Sequence, residues 1–153
     1  ADDPAWPGLP DVADAGPRAV ALYLGAYGPA TVNNLSYWLT EGLGVPRREL
    51  LGWVEDLGAA ITRVQVDDDD ALVLTEHVEE IARTSPSDTV HLLPGYDPWV
   101  MGPGTADARI VPPEHRALAT KGANLAIRGG RVRATWRSRG DDVVIDWFDG
   151  AGT

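Results

Sequence analysis

The sequence predicts an α+β fold, with a helical first half that ends in a β-hairpin and a second half made mostly of antiparallel strands. Apolar residues recur at helical spacing in three consecutive segments before residue 58. After residue 120 the period changes to two, as in strands, and short glycine-containing turns separate the segments. The 153 residues suit one domain or two small subdomains, and such a chain can bury about 70% of its unfolded surface.

Three helices are predicted in the first half, over residues 17–27, 31–39 and about 46–56. Pro17 suits the first turn of the first helix, and Gly28–Pro29 ends that helix. Thr31 is the predicted N-cap of the second helix. Gly58 is placed to be the residue that follows the C-cap of the third helix, where a left-handed conformation is common.

A β-hairpin follows these helices. Its strands are AITRVQV and ALVLT, and the acidic turn Asp67–Asp70 joins them. Three helices followed by a β-hairpin is the order of elements in a winged helix. A short helix over 76–83 and a break near residue 86, at TSPSD, follow the hairpin. We therefore expect three parts, which are a tail or linker (1–15), a winged-helix subdomain (16–85) and a β-rich subdomain (86–150).

The second half is predicted to be strands and turns. TVHLL forms one strand, and the following stretch HLLPGYDPWVMGPG turns twice. LAIR, RVRATWRSR and VVIDWF form a three-stranded meander with turns at Gly129–Gly130 and Gly140–Asp142. This pattern predicts a small antiparallel β-barrel or curled sheet. Within HLLPGYDPWVMGPG we expect apolar side chains to be buried, namely Leu92, Leu93, Trp99 and Val100.

The net charge of −10 argues against a nucleic-acid partner, because phosphate binding depends on Lys and Arg. The charge is unevenly distributed. Residues 1–120 contain 7 arginines against 19 acidic residues, whereas residues 121–153 contain 6 basic against 4 acidic residues. No acidic residue occurs between Lys121 and Gly140. The C-terminal part of the chain is therefore the better place for an anionic partner.

Strand alternation predicts that the arginines of RVRATWRSR point to one face and the apolar residues to the other. Arginine can hold a phosphate through two parallel hydrogen bonds. The candidate phosphate-binding residues are Lys121, Arg128, Arg131, Arg133, Arg137 and Arg139. The alternative is a solvated outer face that Asp141, Asp142 and Asp146 neutralise, with each exposed pair contributing about 0–1 kcal/mol.

The third helix of a winged helix usually enters the DNA major groove. Arg47 and Arg48 begin this helix and are candidate groove contacts, but three acidic residues follow them on the same helix. The four aspartates of the hairpin turn would be repelled by phosphates within a Debye length of about 8 Å. We therefore favour a packing role for this subdomain over direct groove binding.

Asp97 is the only carboxylate in HLLPGYDPWVMGPG and is the only candidate catalytic residue. A lone Asp beside aromatic residues can act as a general acid or base, but an Asp before proline more often accepts backbone N–H bonds in a turn. We favour the structural role. The chain has no cysteine, and its three histidines are widely spaced, so neither a metal site nor a cofactor is predicted.

No apolar run approaches the roughly 20 residues that a membrane-spanning helix needs, and the acidic, proline-rich N-terminus differs from a signal peptide. We expect a soluble, cytoplasmic protein with no membrane partner. It would be associated with the nucleoid if it binds DNA.

Four stretches, covering nearly the whole chain from about residue 16 to 148, together resemble one family. They are GPATVNNLSYWLTEGLG, LLPGYDPWVMGP, IVPPEHR and IRGGRVRATWR. The chain resembles the C-terminal part of the winged-helix DNA-binding proteins that include the DNA interstrand-crosslink glycosylases of the azinomycin-resistance type. The resemblance implies double-stranded DNA as the partner, a role in DNA repair, and docking of this part onto other winged-helix domains of the same protein.

The family's glycosylase activity is associated with a Gln-x-Gln or Gln-x-Asp motif in winged helices that the resemblance places outside this chain. Gln65-Val66-Asp67 imitates the motif, but it lies at a predicted strand end. We therefore expect a non-catalytic DNA-binding portion that contacts duplex phosphates, within a parent protein that is a DNA glycosylase. The alternative is an acidic structural or protein-interaction module that does not bind DNA.

Overall fold

The computed structural model describes residues 8–148, and the chain divides into two units, Ala1–Glu79 and Glu80–Thr153. Each unit combines helices with an antiparallel sheet, which confirms the predicted α+β class. Most of the predicted N-terminal tail, residues 1–7, lies outside the described residues. No helix among residues 8–148 is long and apolar enough to cross a membrane.

The first unit contains three helices and a hairpin. They are α1 (Val12–Tyr27), α2 (Val32–Ser36), α3 (Arg47–Asp56), β1 (Ile61–Val66) and β2 (Asp69–Leu74), followed by α4 (Val78–Arg83), which begins at the end of this unit. A π-helical turn, Tyr37–Glu41, continues α2, and 3-10 turns at Gly58–Ala60 and Thr75–His77 flank the hairpin.

The first helix begins five residues before its predicted start. The carbonyl of Asp11 accepts the N–H groups of Asp14 and Ala15 at 3.0 and 2.8 Å, so a helical turn forms before Pro17 and places this proline inside the helix. Three predicted boundary residues are confirmed, whereas the second helix, predicted to run to residue 39, ends at Ser36 as an α-helix. Gly28 caps α1 and Thr31 caps α2, while Gly58 follows α3 with a φ of 49°.

The core of the first unit lies between α1, α3 and the hairpin. Its most buried large side chains are Val20, Leu24, Leu35, Leu50 and Leu72. Gly16 of α1 lies directly against the indole of Trp53 on α3, in a space that a Cβ atom would fill. Trp53 is buried, whereas Trp38 is exposed.

The hairpin is longer than predicted, because its acidic turn contains two residues rather than four. Asp69 pairs with Val66 and Asp70 pairs with Gln65, so both aspartates belong to β2. Asp67 adopts a φ of 53°, which Asp tolerates better than most residues. Ala30, before α2, also pairs with Leu72 through two backbone hydrogen bonds of 2.9 and 2.8 Å, which form an isolated β-bridge beside the two-stranded hairpin.

The second unit is built on a four-stranded antiparallel sheet with the order β3-β4-β5-β6. Its strands are β3 (His91–Leu93), β4 (Leu125–Arg128), β5 (Arg131–Arg139) and β6 (Asp142–Trp147). The predicted meander is present, and β3 extends it by one strand. The alternative of a closed β-barrel is wrong, because among the described residues β3 and β6 are unpaired edges.

Two short helices of the second unit were not predicted. They are α5 (Pro98–Met101) and α6 (Arg116–Thr120), the latter preceded by a 3-10 turn at Pro113–His115. Prolines precede or begin both segments. Because proline is also common in turns, the sequence predicted turns where these helices lie. Val100 of α5 is buried with Val111, Ile127 and Val132, whereas Leu92 and Trp99 are exposed, contrary to expectation.

Candidate nucleic-acid interface

The basic residues of the second unit are placed by the β4–β5 hairpin. Gly129 and Gly130 have φ values of 60° and 73°, as a two-residue turn of type I′ requires, and Arg128 and Arg131 are paired across it. The Gly129–Gly130 turn therefore lies where the sequence predicted it, and it brings two of the candidate cations together at one end of the sheet.

A β-bulge in β5 divides the predicted stripe of arginines. Ala126 pairs with Ala134, but the next residue of β4, Ile127, pairs with Val132, so Arg133 has no partner on β4. Consecutive residues of a strand point to opposite faces, and paired residues share a face. Val132 and Ala134 therefore lie on opposite faces, although they are two residues apart.

The same argument places the arginines on two surfaces. Arg131 shares the face of Ala134, whereas Arg137 and Arg139 share the face of Thr135, the partner of Leu125. Eight strand residues at about 3.3 Å each also separate Arg131 from Arg139 by about 26 Å along the strand. The prediction of one cationic face along the whole of β5 is therefore wrong.

Three of the arginines make contacts within the second unit. The guanidinium of Arg128 is 3.4 Å from the carboxylate of Asp88, and Arg131 donates to the carbonyl of Ala108 at 3.0 Å. Arg137 forms an ion pair with Asp146 on β6. All of these contacts involve exposed side chains, so water can compete for them.

Arg133, Arg139 and Lys121 are exposed and make no side-chain hydrogen bond or ion pair among residues 8–148. Of the three aspartates predicted to neutralise the strand, only Asp146 pairs with an arginine within this range. Asp142 is the register partner of Arg139, but no ion pair joins their side chains. Two arginines and one lysine thus remain available to an external anion.

At the start of α3, Arg47 has a structural contact. Its guanidinium donates to the buried hydroxyl of Ser36 at 2.8 Å, which ties α3 to the end of α2. Arg48 is exposed without such a contact. Gln65 is exposed on β1 and its amide donates to the carbonyl of Asp67 at 3.4 Å, as expected of a strand end.

Asp97 is the N-cap of α5, since its carboxylate accepts the N–H of Trp99 at 2.9 Å. This confirms the predicted acceptance of a backbone N–H. The preceding residue, Tyr96, has a φ of 60°, and its ring covers Gly122. The side chain of Asn124 accepts the N–H of Gly95 at 3.0 Å, so the corner is held on both sides.

The sequence interpretation missed the pair formed by Asp107 and Arg109. The carboxylate of Asp107, whose side chain is only 4% exposed, accepts two guanidinium bonds of 2.9 and 2.6 Å and the backbone N–H of Arg109 at 3.0 Å. The only signal of this ion pair in the sequence is an acidic residue two positions before an arginine in a loop. The pair stabilises the loop that also supplies the carbonyl of Ala108 to Arg131.

A cavity of about 390 Å³ opens beside the Gly129–Gly130 turn. It is lined by Ser87, Thr89, His91, Leu93, Trp99, Ile127, Gly129 and Gly130. Within the described part of the chain, no group of three or more potential ligands among His, Asp and Glu is close enough to hold a metal ion.

Known proteins resemble this chain along nearly its whole length. The sequence model of a family described as DNA glycosylase AlkZ-like matches residues 2–146. An interstrand DNA cross-link repair glycosylase from Streptomyces sahachiroi is 36% identical over 147 residues, which are 94% of this chain and 39% of that protein. A solved structure, the Streptomyces sahachiroi DNA glycosylase AlkZ, superposes with a TM-score of 0.86 at 36% identity, over 95% of this chain and 40% of that chain.

Proposed function

We propose that this chain, which belongs to the AlkZ-like DNA glycosylase family, is a non-catalytic portion that contacts the phosphates of double-stranded DNA. The chain spans about two fifths of the length of these relatives and corresponds to their C-terminal part. In this proposal the longer protein is a DNA repair glycosylase of the cytoplasm and nucleoid, and its base-releasing residues lie outside this chain.

The proposal rests on Arg133 and Arg139, whose side chains are available to bind phosphate. Both guanidinium groups are exposed, and neither has a protein anion within the described residues. Arg137 lies between them and could exchange its exposed ion pair with Asp146 for a DNA phosphate at little cost. Arg137 and Arg139 are about 7 Å apart along one face, which suits successive phosphates on a strand.

We also propose that the first unit is a winged helix, since it has three helices, a hairpin and an isolated β-bridge that joins Ala30 to Leu72 of the hairpin. Four aspartates lie at the tip of its hairpin, two in the turn and two at the start of β2, and Arg47 is hydrogen-bonded to Ser36. This distribution supports DNA contact through the second unit, with α3 and the hairpin turn kept away from phosphates.

The test is the salt dependence of duplex binding by the full chain. Each phosphate contact contributes about −0.9 to the slope of log K against log salt concentration. Arg133→Ala combined with Arg139→Ala should therefore reduce the magnitude of the slope by about 1.8, and should weaken binding to all duplex sequences alike.

Arg63→Ala is the matched control, because Arg63 is an exposed strand arginine of the first unit and its removal changes the net charge in the same direction. The control should keep the wild-type slope. An unchanged slope in the double variant would remove β5 from the DNA interface, and loss of slope in Arg63→Ala would place the interface on the first unit.

A second candidate function, docking onto other winged-helix domains of the longer protein, is favoured by exposed apolar side chains of the first unit. Leu22 is 65% exposed and Leu43 is 72% exposed. Leu22→Ser with Leu43→Ser should leave the melting temperature of the 153-residue chain unchanged and lower that of a longer protein in which these side chains are covered. Equal melting temperatures in the longer protein would contradict docking through these residues.

A further inference from the structure

The cavity beside the Gly129–Gly130 turn has the size and the walls of a small-ligand site. Its volume of about 390 Å³ is within the range of roughly 300–1,000 Å³ typical of such pockets. Leu93 and Ile127 form part of its wall, and they belong to adjacent strands whose register is fixed by the pairing of β3 with β4. The site is therefore built on the sheet and not on a single loop.

Trp99 supplies an aromatic wall. Trp99 is 42% exposed, and the carboxylate of Asp97 accepts its backbone N–H at 2.9 Å. An exposed indole beside a concave apolar surface can stack on a planar ring, and stacking of a nucleobase on an aromatic side chain contributes about 1–3 kcal/mol.

Ser87 and Thr89 form a polar part of the cavity wall, and their hydrogen bonds leave one hydroxyl donor available to a ligand. The hydroxyl of Ser87 donates to the hydroxyl oxygen of Thr89 at 2.9 Å and accepts the N–H of Thr89 at 3.1 Å. The hydroxyl hydrogen of Thr89 can therefore be donated to a ligand. The imidazole of His91, also in the lining, provides a second polar edge.

The turn is joined to the polar wall of the cavity. The N–H of Gly129 donates to the carbonyl of Ser87 at 3.0 Å, so two lining residues from different segments are held together. Arg128 precedes the turn and forms an ion pair of 3.4 Å with Asp88. Strand alternation places its side chain on the face opposite to Ile127, so Arg128 is not part of the cavity wall.

We propose that this cavity binds one unpaired nucleobase of DNA, stacked on Trp99 and hydrogen-bonded by Thr89. The inference rests on the proposed contact of this chain with DNA, and it adds a site for a base that has left the helical stack. The site binds the base and carries out no chemistry on it.

The experiment compares two duplexes that differ by one base. Both contain a one-nucleotide bulge, which is a thymidine in one duplex and an abasic tetrahydrofuran residue in the other. The full chain should bind the thymidine bulge at least about fivefold more tightly, the ratio that corresponds to about 1 kcal/mol of stacking. Trp99→Ala should abolish the ratio and Trp99→Phe should retain most of it.

Two control variants separate this proposal from the proposed function. Trp38→Ala removes an equally exposed indole of the first unit and should keep the ratio. Arg133→Ala with Arg139→Ala should weaken binding of both duplexes and also keep the ratio. Equal affinities of the wild-type chain for the two duplexes, or a ratio that survives Trp99→Ala, would overturn the base-binding site.

A second measurement does not depend on duplex binding. Titration of the full chain with single-stranded pentathymidylate should shift the indole N–H resonance of Trp99, assigned through Trp99→Phe, and leave that of Trp38 in place. Absence of this shift at millimolar oligonucleotide would overturn the site even if no duplex binds.

Discussion

Gly16 shows how one missing side chain sets the distance between two helices. The indole of Trp53 occupies the space that a Cβ atom at residue 16 would need, so α1 and α3 can approach only because this residue is glycine. A sequence pattern does not reveal this, because glycine within a helix is normally unfavourable. The helical spacing of apolar residues predicted both helices but could not predict their closest contact.

Gly16→Ala should lower the free energy of unfolding by about 1–3 kcal/mol, because the methyl group overlaps the Trp53 indole. Gly52→Ala is the matched control, since residue 52 lies inside α3 with no other atom near a Cβ. The control should raise stability by up to about 1 kcal/mol. Urea denaturation measures both, and equal effects of the two changes would contradict the close packing at residue 16.

Asp97 is the residue at which the structural and catalytic hypotheses make different predictions. Asp97→Ala removes the acceptor for the N–H of Trp99 and should cost about 0.5–2 kcal/mol of unfolding free energy. Asp97→Asn keeps an oxygen acceptor and should retain most of that stability. Urea denaturation of the two variants checks the cap, and equal losses of stability would contradict it.

At the scale of elements, the boundaries that glycine, proline and threonine mark were predictable. Gly28–Pro29 ends α1, Thr31 caps α2, and Gly129–Gly130 turns β4 into β5, in each case because the residue type fits the local backbone. The bulge at Arg133 was not predictable, because it depends on which residues of β4 and β5 are paired, and alternation within one strand carries no such information.

The acidic hairpin turn is an element whose charge should oppose DNA binding. Changing Asp68, Asp69 and Asp70 to Asn removes three exposed carboxylates and keeps the turn, because these positions are outside the core. The affinity of the full chain for duplex DNA should rise, by roughly threefold or more at low salt, as repulsion within a Debye length is lost. Fluorescence anisotropy measures the change, and weaker binding by the variant would show that the turn contacts DNA favourably.

At the scale of the whole molecule, we propose that DNA binding by this chain and base release belong to different parts of a longer protein. Gln65 is the only glutamine in the chain, and it is exposed at the end of β1. The full chain should therefore release no base from alkylated or cross-linked DNA, as measured by chromatography of the products. Base release that Gln65→Ala or Asp97→Asn abolishes would contradict the non-catalytic assignment and identify the residue responsible.

We propose that the second unit contacts duplex phosphates through the arginines of β5. Mapping of backbone amide resonances of the full chain during titration with a short duplex tests it most directly. We predict shifts over Arg131–Arg139 that decrease as salt is added, and no shifts over Asp67–Asp70. Shifts confined to α3 and the hairpin turn, or none at low salt at any duplex concentration, would contradict the claim.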